Sequence, residues 1–343
     1  MFMKPRHAVR LNSVGTMDID PELMEMLQSD QFCVEPKIDG TRAMLRESNA
    51  RINIYGRGMI KGTGVMRVQR NYREQFPEIV ETLENVPPDT VLDGEIVVLD
   101  DQGNPNFNLL QTRVTRKNDI YSLSKTYPAK FLVFDILKLN GKDFLELPLS
   151  ERKVKLEYFM KGHANEFLDM VPYILNKDEK IAAAQTAIDQ GFEGIMLKDL
   201  DSLYREGKGD WWKSKRTWTE DVFIMGKTAG EGRREQWFGG LQCYQMLDGF
   251  PVHLATIGGG FDDEQLGEFN ELITEEQPVL VGSAALYKFR ELDLENNLHV
   301  IEIEHFGHMQ NSVRHPNYLR RRFDKSPEDC KSELKVKETE EWK

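Results

Sequence analysis

The sequence predicts an α+β protein of two domains, in which antiparallel sheets with flanking helices are followed by a small C-terminal β-barrel. The 343 residues exceed the usual size of one compact domain, which favours two. Short β-runs separated by turns and helices fill the stretch from Phe32 to about Val222. Beyond it, strand-like runs with Gly-rich turns surround a single acidic helix. We therefore predict domains at 1–219 and 220–343.

The composition is typical of a globular protein, with 40% hydrophobic and 30% charged residues. No run approaches the roughly 18 apolar residues that a membrane span needs, and the N-terminal residues lack the apolar stretch of a secretory signal. Cys33, Cys243 and Cys330 form no CxxC pair, which argues against a disulfide framework or a structural zinc site. We expect a cytoplasmic protein with incidental thiols and no membrane contact.

The predicted strands of the first domain are apolar β-runs bounded by turn residues. The first run is expected to be a hairpin, because Asp-Gly between alternating residues is a favoured two-residue turn. The next run would continue that sheet, and the two later runs are apolar enough to be buried strands. These runs are 31–48, 51–58, 90–100 and 129–141.

Three helices are predicted between these strands. The first covers 72–86 and carries an apolar stripe at helical spacing. The second covers 151–163 with Ser150 as its N-cap, and the third covers 178–191 with Gly191 as its C′ residue. The apolar stripe of the first helix consists of Phe76, Ile79, Val80 and Leu83.

The C-terminal domain is predicted to be a β-barrel of the oligonucleotide-binding (OB) type. Several short strands, Gly-rich turns and one helix at 262–277 within about 110 residues favour that fold. The last stretch, 326–343, is polar enough to be a loose tail or a terminal helix. The predicted strands are 222–228, 239–247, 251–259 and 299–308.

The segment EPKIDGTR, residues 35–42, is the first candidate for chemistry. A nucleophilic lysine must be partly deprotonated and needs a carboxylate nearby to take or hold the proton. Lys37 and Asp39 supply such a pair, because alternate residues of an extended segment share one face. The alternative is an ordinary hairpin turn at Asp39-Gly40 with Lys37 solvated.

Further motifs follow this segment in a fixed order. They are YGRGM around Arg57, LDGE with Glu95, FLVFD with Phe134, FEG with Glu193, WWKSK with Lys213 and Lys215, and RRFDK with Arg322, Asp324 and Lys325. Together with KIDGTR, they resemble the motifs of the covalent nucleotidyltransferase superfamily, and within it the compact ATP-dependent DNA ligases of phages, viruses and bacteria. One departure is Gly56, which stands where that family usually has Ser or Thr before the arginine.

The resemblance implies a nucleotidyltransferase (adenylation) domain followed by an OB-fold domain, with ATP as the AMP donor. Lys37 would attack the α-phosphorus of ATP and carry AMP as a covalent lysyl-AMP. AMP would then pass to the 5′-phosphate of nicked duplex DNA, and the 3′-OH would seal the break with release of AMP. The same resemblance implies a monomer in a bacterial or phage-infected cytosol.

The resemblance also implies a role for each motif residue. Glu35 would accept a hydrogen bond from adenine, Phe134 would stack on it, and Lys213 with Lys215 would stabilise phosphate charge. Glu95 would hold the ribose hydroxyls and, with Glu193, bind Mg²⁺, for which Mn²⁺ can substitute. The expected catalytic residues are Lys37, Asp39, Lys213, Lys215, Arg322, Asp324 and Lys325. The expected nucleotide-binding residues are Glu35, Lys37, Arg42, Arg57, Glu95, Phe134, Lys213 and Lys215.

Structural roles are the alternative for several of these residues. Phe134 has the pattern of an ordinary core aromatic, and the two lysines of WWKSK could form a solvated basic face. Glu95 and Glu193 could be satisfied carboxylates at a strand end and a turn. The order of the motifs favours the functional roles. We expect the nearby tryptophans to be core residues, and these are Trp211, Trp212 and Trp218.

The net charge of −12 is unevenly distributed. Residues 74–101 carry nine acids and no base, whereas 51–73 carry six bases and no acid. Basic stretches beside the motifs predict contact with DNA phosphates, with a solvated loop as the alternative. The expected DNA-binding residues are Arg42, Arg57, Lys61, Arg67, Arg70 and Arg73.

Three alternative functions remain at this stage. An RNA ligase or an mRNA capping guanylyltransferase would share KIDG, although EPKIDGTR and EGIMLKD favour a DNA ligase. NAD-dependent ligases resemble longer chains with a four-cysteine zinc module, which the unpaired cysteines do not match. A noncatalytic nucleic-acid-binding protein would not need the full set of motif lysines and glutamates.

Overall fold

The computed structural model describes residues 3–7, 10–13, 16–56, 70–83, 85–116, 118–190, 193–274, 276–292, 299–309 and 311–332. The chain forms two compact units. The N-terminal unit is Met1–Leu11 with Met17–Arg216, and the C-terminal unit is Asn12–Thr16 with Thr217–Lys343. Within the described ranges, no helix combines the length and the apolar composition needed to cross a membrane.

The N-terminal unit contains ten strands and six helices in its described part. Its strands are β1 (Met3–His7), β2 (Phe32–Pro36), β3 (Thr41–Ser48), β4 (Arg51–Gly56), β5 (Val91–Val98), β6 (Ala129–Leu139), β7 (Lys142–Asp143), β8 (Leu168–Met170), β9 (Gly194–Asp199) and β10 (Gly207–Lys215). Its helices are α1 (Pro21–Gln28), α2 (Pro77–Thr82), α3 (Phe107–Thr115), α4 (Ile120–Thr126), α5 (Leu149–His163) and α6 (Lys177–Asp189).

These strands form two sheets. The small sheet has the order β1-β10-β9-β2, and the large sheet has the order β4-β3-β5-β6-β7 with β8 beside β6. Most pairs are antiparallel, as predicted, while β1 with β10 and β6 with β8 are parallel. One hydrophobic cluster joins the two sheets, and its members include Cys33, Phe134, Leu137, Tyr204 and Trp211. The site described below lies in this layer between the sheets.

The predicted hairpin at 31–48 is wrong, because its two strands belong to different sheets. β2 pairs with β9, whereas β3 pairs with β4 and β5. Residues 37–40 therefore cross from the small sheet to the large one. A Cβ atom on Gly40 would lie 2.5 Å from the Ile96 carbonyl oxygen and 2.7 Å from Glu95 Cγ. Glycine is needed here because the crossing passes directly against β5.

The predicted helices exist, but their starts differ. α2 is shorter than expected because Pro77 begins it, and a proline ring suits the first turn of a helix rather than its interior. α5 begins at Leu149 with Pro148 at the N-cap, so Ser150 is not the cap as predicted. The Ser150 amide instead donates to the carbonyl of Leu200 at 2.9 Å.

α6 begins one residue before the predicted range. Asn176 is its N-cap, and the side-chain oxygen of Asn176 accepts from the Glu179 amide at 3.1 Å. The predicted C′ residue, Gly191, lies outside the described residues. The sequence reading missed α1, α3 and α4, of which α1 and α3 are capped by Asp20 and Asn106.

In its described residues, the C-terminal unit contains one antiparallel sheet of five strands, which lie side by side in the order Phe250–Ile257, Phe238–Leu247, Trp218–Ala229, Val300–His305 and Asn317–Arg321. The predicted strands and the acidic helix are confirmed, whereas the second helix and the last strand were not predicted. The strands are β11 (Trp218–Ala229), β12 (Phe238–Leu247), β13 (Phe250–Ile257), β14 (Val300–His305) and β15 (Asn317–Arg321). The helices are α7 (Asp263–Leu272) and α8 (Ser283–Glu291).

Closure of this sheet into a barrel is not confirmed. An isolated bridge joins Gly259 to Asn317, and the Tyr318 amide donates to the Gly259 carbonyl at 3.0 Å. This bridge brings the end of β13 to β15, the strand at the opposite edge of the sheet. The described residues form no continuous ladder between those two strands, so the sheet is not a closed barrel there.

Charged side chains are buried in the N-terminal unit with their partners. Arg152 and Asp135 are both inaccessible to solvent, and Arg152 Nε and Nη2 each donate to Asp135 at 2.9 Å. Arg152 Nη1 also donates to the carbonyls of Leu147 and Ser202, at 2.6 and 2.9 Å. This guanidinium ties α5 to β6 and to the loop that precedes β10, because the buried charge is stable only with all these acceptors in place.

Replacing Arg152 with methionine will lower the free energy of unfolding by about 3–5 kcal/mol, because Asp135 would remain buried without its cation. Urea unfolding followed by circular dichroism measures the loss. Lys130→Met is the control, since Lys130 and Asp169 form an exposed pair at 3.0 Å that is worth about 0–1 kcal/mol. Equal losses in the two variants would contradict a stabilising role for the buried pair.

Candidate active site

Lys37, Glu193 and Lys215 form the centre of the candidate site. Lys37 Nζ lies 2.5 Å from Glu193 Oε2, and Lys215 Nζ lies 2.8 Å from Glu193 Oε1. The exposed fractions of the three side chains are between 14 and 17%, so the group is shielded but open to a ligand. One carboxylate thus holds two ammonium groups close together, which is an arrangement suited to binding phosphate.

Glycine at position 194 brings these residues together. Lys37 directly follows β2, and its amide donates to the Gly194 carbonyl at 2.9 Å. Gly194 pairs with Lys215 across β9 and β10, and its φ of +142° is one that other residues rarely adopt. A Cβ atom there would lie 2.0 Å from the Ser214 carbonyl oxygen. The glycine that follows Glu193 in the motif is therefore required for steric reasons.

The charge of Glu193 is stabilised by its two lysines. Burial acts to raise the pKa of Glu193, but the positive charges and hydrogen bonds of Lys37 and Lys215 outweigh it and hold the pKa below its ordinary value. Sequence reasoning paired Lys37 with Asp39, whereas the carboxylate that contacts Lys37 here is Glu193. The chain separation of 156 residues hid this pair from the sequence.

Glu35 lies behind this group in a buried cluster with two lysines. Glu35 is 2% exposed, and its carboxylate contacts Lys153 Nζ and, at 2.6 Å, Lys198 Nζ. Burial would raise the pKa of Glu35, but the two lysines lower it overall. Lys153 Nζ also donates to the Phe134 carbonyl at 2.9 Å, so it links β2 of the small sheet to β6 of the large one.

Phe134 is 9% exposed and packs in the same layer. Its ring meets Trp211 edge to face, with centroids 5.8 Å apart. Lys198 Nζ lies 4.2 Å from the Phe134 centroid and 4.1 Å from the Trp211 ring. The expectation that Trp211 is a core residue is confirmed, since it is 1% exposed. The role of Phe134 in adenine stacking stays a prediction.

Arg42 is held by Asp93 at the edge of this cluster. Arg42 Nε and Nη2 donate to the two Asp93 oxygens at 3.0 and 2.6 Å, and the Tyr204 hydroxyl donates to Asp93 at 2.5 Å. Arg42 is 6% exposed, and its guanidinium lies 5.2 Å from the Phe134 centroid. Burial would lower the pKa of Arg42, but the negative charge and hydrogen bonds of Asp93 outweigh burial and raise the pKa overall. Arg42 therefore carries a fixed positive charge. Its predicted contacts with nucleotide and DNA stay predictions.

The remaining predicted residues of this unit lie on adjoining strands. Glu95 pairs with Arg42 across β3 and β5, and its Cγ stands against Gly40 in the crossing that carries Lys37 and Asp39. Lys213 and Lys215 are alternate residues of β10 and therefore point to one face, as predicted. The structure thus places most of the predicted nucleotide-binding residues around the layer between the two sheets.

Arg322, Asp324 and Lys325 form a separate network in the C-terminal unit. Arg322 donates to Asp221 at 2.7 Å and to both oxygens of Asp324, at 2.9 and 2.8 Å. Lys325 contacts the other oxygen of Asp221. Asp221 belongs to β11 and was not predicted. The motif cations are therefore arranged around carboxylates, and their catalytic role stays a prediction.

Two of the predicted DNA-binding residues contact main-chain carbonyls. Arg70 Nη2 donates to the Val114 carbonyl at 2.6 Å, and Arg73 Nη1 donates to the Ile52 carbonyl. These bonds tie residues 70–73 to α3 and β4. Three further predicted residues lie outside the described residues, and these are Arg57, Lys61 and Arg67.

Among the described residues, one group has metal-ligand side chains close together in the C-terminal unit. Glu220 Oε1 lies 3.2 Å from His305 Nε2 and 2.9 Å from His308 Nε2. The Gly307 amide donates to His305 Nδ1 at 3.1 Å, which makes Nδ1 an acceptor and places the proton of a neutral ring on Nε2. This arrangement favours a hydrogen-bonded cluster over a metal site, because a metal-ligating histidine usually donates through its other nitrogen.

The sequence reading missed the buried partners of the site, Lys153, Lys198 and Asp93, and also the partly buried Asp221 of the C-terminal network. Lys198 had a recognisable signal, because a lysine within the apolar strand GIMLKD must be either paired or at an edge. Asp93 had a weaker signal, which was an aspartate within the strand-like sequence LDGE. Lys153 and Asp221 lie on a helix and a strand with many other charges, so nothing in the sequence distinguished them.

The comparisons with known proteins agree with this architecture. A two-sheet unit built around such a lysine site defines a nucleotidyltransferase domain. The family model for the ATP dependent DNA ligase domain matches residues 15–215, and the chain belongs to this family.

The relatives that the chain matches include DNA ligases. The DNA ligase of Thermococcus fumicolans is 29% identical over 328 residues, which are 92% of this chain and 56% of the relative. The DNA ligase of Sulfophobococcus zilligii is 32% identical over 273 residues, or 74% of this chain and 43% of the relative. The chain spans about half the length of the curated relatives it matches.

Two solved structures share the fold at low identity. The structure described as Pmar-Lig_Pre has a TM-score of 0.67 at 20% identity, and the alignment covers 94% of this chain and 68% of that one. A structure from the study "DNA binding with a minimal scaffold: Structure-function analysis of Lig E DNA ligases" has a TM-score of 0.56 at 16% identity, covering 92% of this chain and 100% of that one.

The stability advantage of wild type over Glu193→Gln will be present at neutral pH and lost in acid. The folded-state pKa of Glu193 lies below its ordinary value of 4.5, so the advantage persists until the pH falls through that lowered value. Urea unfolding between about pH 7 and about pH 3 measures the difference. The exposed Glu166→Gln variant is the control and should show no such change. A constant difference across the range would contradict the ion bridge.

Proposed function

We propose that this chain acts as an ATP-dependent DNA ligase, which seals 3′-OH/5′-phosphate breaks in duplex DNA through a lysyl-AMP on Lys37. The observation that carries the proposal is the bridge from Lys37 through Glu193 to Lys215 on a family-matched unit. It supports the proposal because one phosphate could contact both the candidate nucleophile and a second cation. Membership in the ligase family supports the same conclusion.

In the first step, one proton of the Lys37 ammonium passes to solvent, Lys37 Nζ attacks the α-phosphorus of ATP, and the nitrogen releases a second proton to solvent as the bond to phosphorus forms. A nitrogen–phosphorus bond forms, the bond to the bridging oxygen breaks, and pyrophosphate leaves with the electron pair. Lys215 stays beside the reacting phosphate and stabilises the charge on its oxygens, with Lys213 on the same strand face. The amide nitrogen of lysyl-AMP is neutral, so Glu193 then keeps Lys215 as its charged partner.

In the second step, an oxygen of the DNA 5′-phosphate attacks the phosphorus of lysyl-AMP, and the nitrogen–phosphorus bond breaks as Lys37 regains a proton. In the third step, the 3′-OH attacks the 5′-phosphate phosphorus, and AMP leaves while the proton of the hydroxyl is released. Arg42, Arg70 and Arg73 are the described members of the proposed DNA contact set. Nicked duplex DNA is the proposed partner, bound by a monomer in the cytosol.

Mg²⁺ fits the carboxylates of the site. Glu95 and Glu193 supply hard oxygen ligands, which suit this ion and Mn²⁺. When bound, the ion would neutralise phosphate charge during transfer. Glu193 shares its oxygens with Lys37 and Lys215, and loss of the Lys37 charge on adenylation would make one of them more available.

We further propose that the C-terminal unit is an OB-type barrel and that the domains divide near residue 220. The five-stranded antiparallel sheet and the bridge from Gly259 to Asn317 support the barrel, and the division of the chain after Arg216 supports the boundary. Arg322, Asp324 and Lys325 would orient the pyrophosphate leaving group during the first step.

Incubation with α-labelled ATP will leave a covalent label on the wild-type chain, and Lys37→Ala will abolish it because the nucleophile is lost. Gel electrophoresis after denaturation measures the label. Lys177→Ala is the control, since Lys177 is half exposed and pairs with Asp30 on the same unit. A label that survives in Lys37→Ala would refute Lys37 as the nucleophile. Labelling from GTP, or sealing of nicked RNA in preference to DNA, would favour the capping-enzyme or RNA-ligase alternative.

Arg322→Ala will slow self-adenylation by about 10²-fold or more, because it removes a charge that acts on the leaving group. Sealing of a pre-adenylated nick will be much less affected, since pyrophosphate has already left. Rates of labelling and of single-turnover sealing measure the two steps. Arg320→Ala is the matched control, because Arg320 lies on β15 two residues before Arg322 but is 66% exposed and pairs with Glu302. Equal losses in both steps would exclude a role specific to the first.

A further inference from the structure

Lys198 contacts both residues that are expected to hold the adenine base. Its Nζ lies 2.6 Å from the Glu35 carboxylate and 4.2 Å from the centroid of the Phe134 ring. Lys198 is 1% exposed and belongs to β9, five residues after Glu193. No reactant could contact this ammonium directly without moving the side chains around it, so any effect on the reaction acts through Glu35 and Phe134.

The two contacts fix the carboxylate and the ring relative to each other. Glu35 is on β2 of the small sheet, whereas Phe134 is on β6 of the large sheet. Lys153 contacts the other Glu35 oxygen and the main-chain carbonyl oxygen of Phe134, and neither of these is a contact with the Phe134 ring. Lys198 is therefore the cation that joins the Glu35 carboxylate to the aromatic faces of Phe134 and Trp211.

The Glu35 carboxylate can still accept hydrogen bonds. A carboxylate has about four lone-pair directions, and the two lysines use two of them. A remaining lone pair suits the amino group at C6 of adenine, which donates. Guanine carries an oxo group at that position, which would face the carboxylate as a second acceptor and be repelled. The orientation of Glu35 thus decides which purine is accepted.

We propose that Lys198 is a positioning residue that sets the preference for adenine over guanine, by holding the Glu35 carboxylate and the Phe134 ring in one fixed relation. The proposal rests on the proposed function, because it concerns the nucleotide that labels Lys37. It assigns a role to a buried lysine that neither attacks phosphorus nor contacts phosphate.

Lys198→Met tests this role, because it keeps the volume of the side chain and removes the cation. The KM for ATP in self-adenylation will rise about tenfold, with a smaller change in kcat, because the buried ion pair that positions the Glu35 carboxylate is lost. The ratio of kcat/KM for ATP to that for GTP will fall about tenfold as well. Initial rates of labelling with each α-labelled nucleotide measure both quantities.

Lys180→Met is the matched control. Lys180 is also fully buried in the N-terminal unit, but it donates to the main-chain carbonyls of Ser29 and Phe32. Its replacement will lower the melting temperature without changing the ATP to GTP ratio. Equal changes of that ratio in both variants would show a general effect of lost packing and overturn the proposal.

Lys198→Gln provides a second variant if the methionine variant does not fold. It keeps an N–H donor for Glu35 but removes the charge over the ring, so the ATP to GTP ratio will lie between those of wild type and Lys198→Met. A folded Lys198 variant whose KM and ratio stay within about twofold of wild type would overturn the proposal. Absence of any label on the wild-type chain would instead refute the proposed function.

Discussion

The N-terminal unit depends on the pairing of charges that are buried between its two sheets. A carboxylate or an ammonium group in that layer is stable only when its partner is present, because the free energy of removing a lone charge from water is large and unfavourable. Glu35 with Lys153 and Lys198, and Arg42 with Asp93, meet this condition. The same pairs determine where β2, β3 and β9 can lie, so the position of Lys37 follows from charge pairing as much as from apolar packing.

The fold was predictable where a local pattern determined the structure. Periodicity and turn residues predicted the strands β4, β5 and β6 and the helix at 178–191. They also predicted the change near residue 220 to short strands with Gly-rich turns. The first hairpin was not predictable, because Asp39-Gly40 has the local chemistry of a tight turn while the strands on each side pair elsewhere. Pairing between sheets is a long-range property, and a local turn signal does not report it.

The site was predictable in its reactive residues but not in their partners. Ordered motifs identified Lys37, Glu193 and Lys215, and the structure brings these three together. The contact of Lys37 with Glu193 was not predicted, since the sequence favours the neighbour two residues away over a glutamate 156 residues away. Lys153 was missed because it lies on a helix with many other charges, and a lysine on such a helix usually faces solvent. Burial of a long polar side chain depends on what packs above it, and that information lies elsewhere in the chain.

The carboxylate of Asp221 already occupies the cations of the last motif, so another anion can bind them only by replacing it. Arg322 and Lys325 both pair with it, and Arg322 pairs with Asp324 as well, so an incoming anion must compete with carboxylates that are already in contact. Chloride, acetate or a single surface carboxylate would gain nothing by the exchange. A polyphosphate carries several charges and more acceptor oxygens, so in the proposed role it would compete for these cations better than a single carboxylate does. The network would therefore make these cations selective: they would bind singly charged anions weakly and a highly charged anion more strongly.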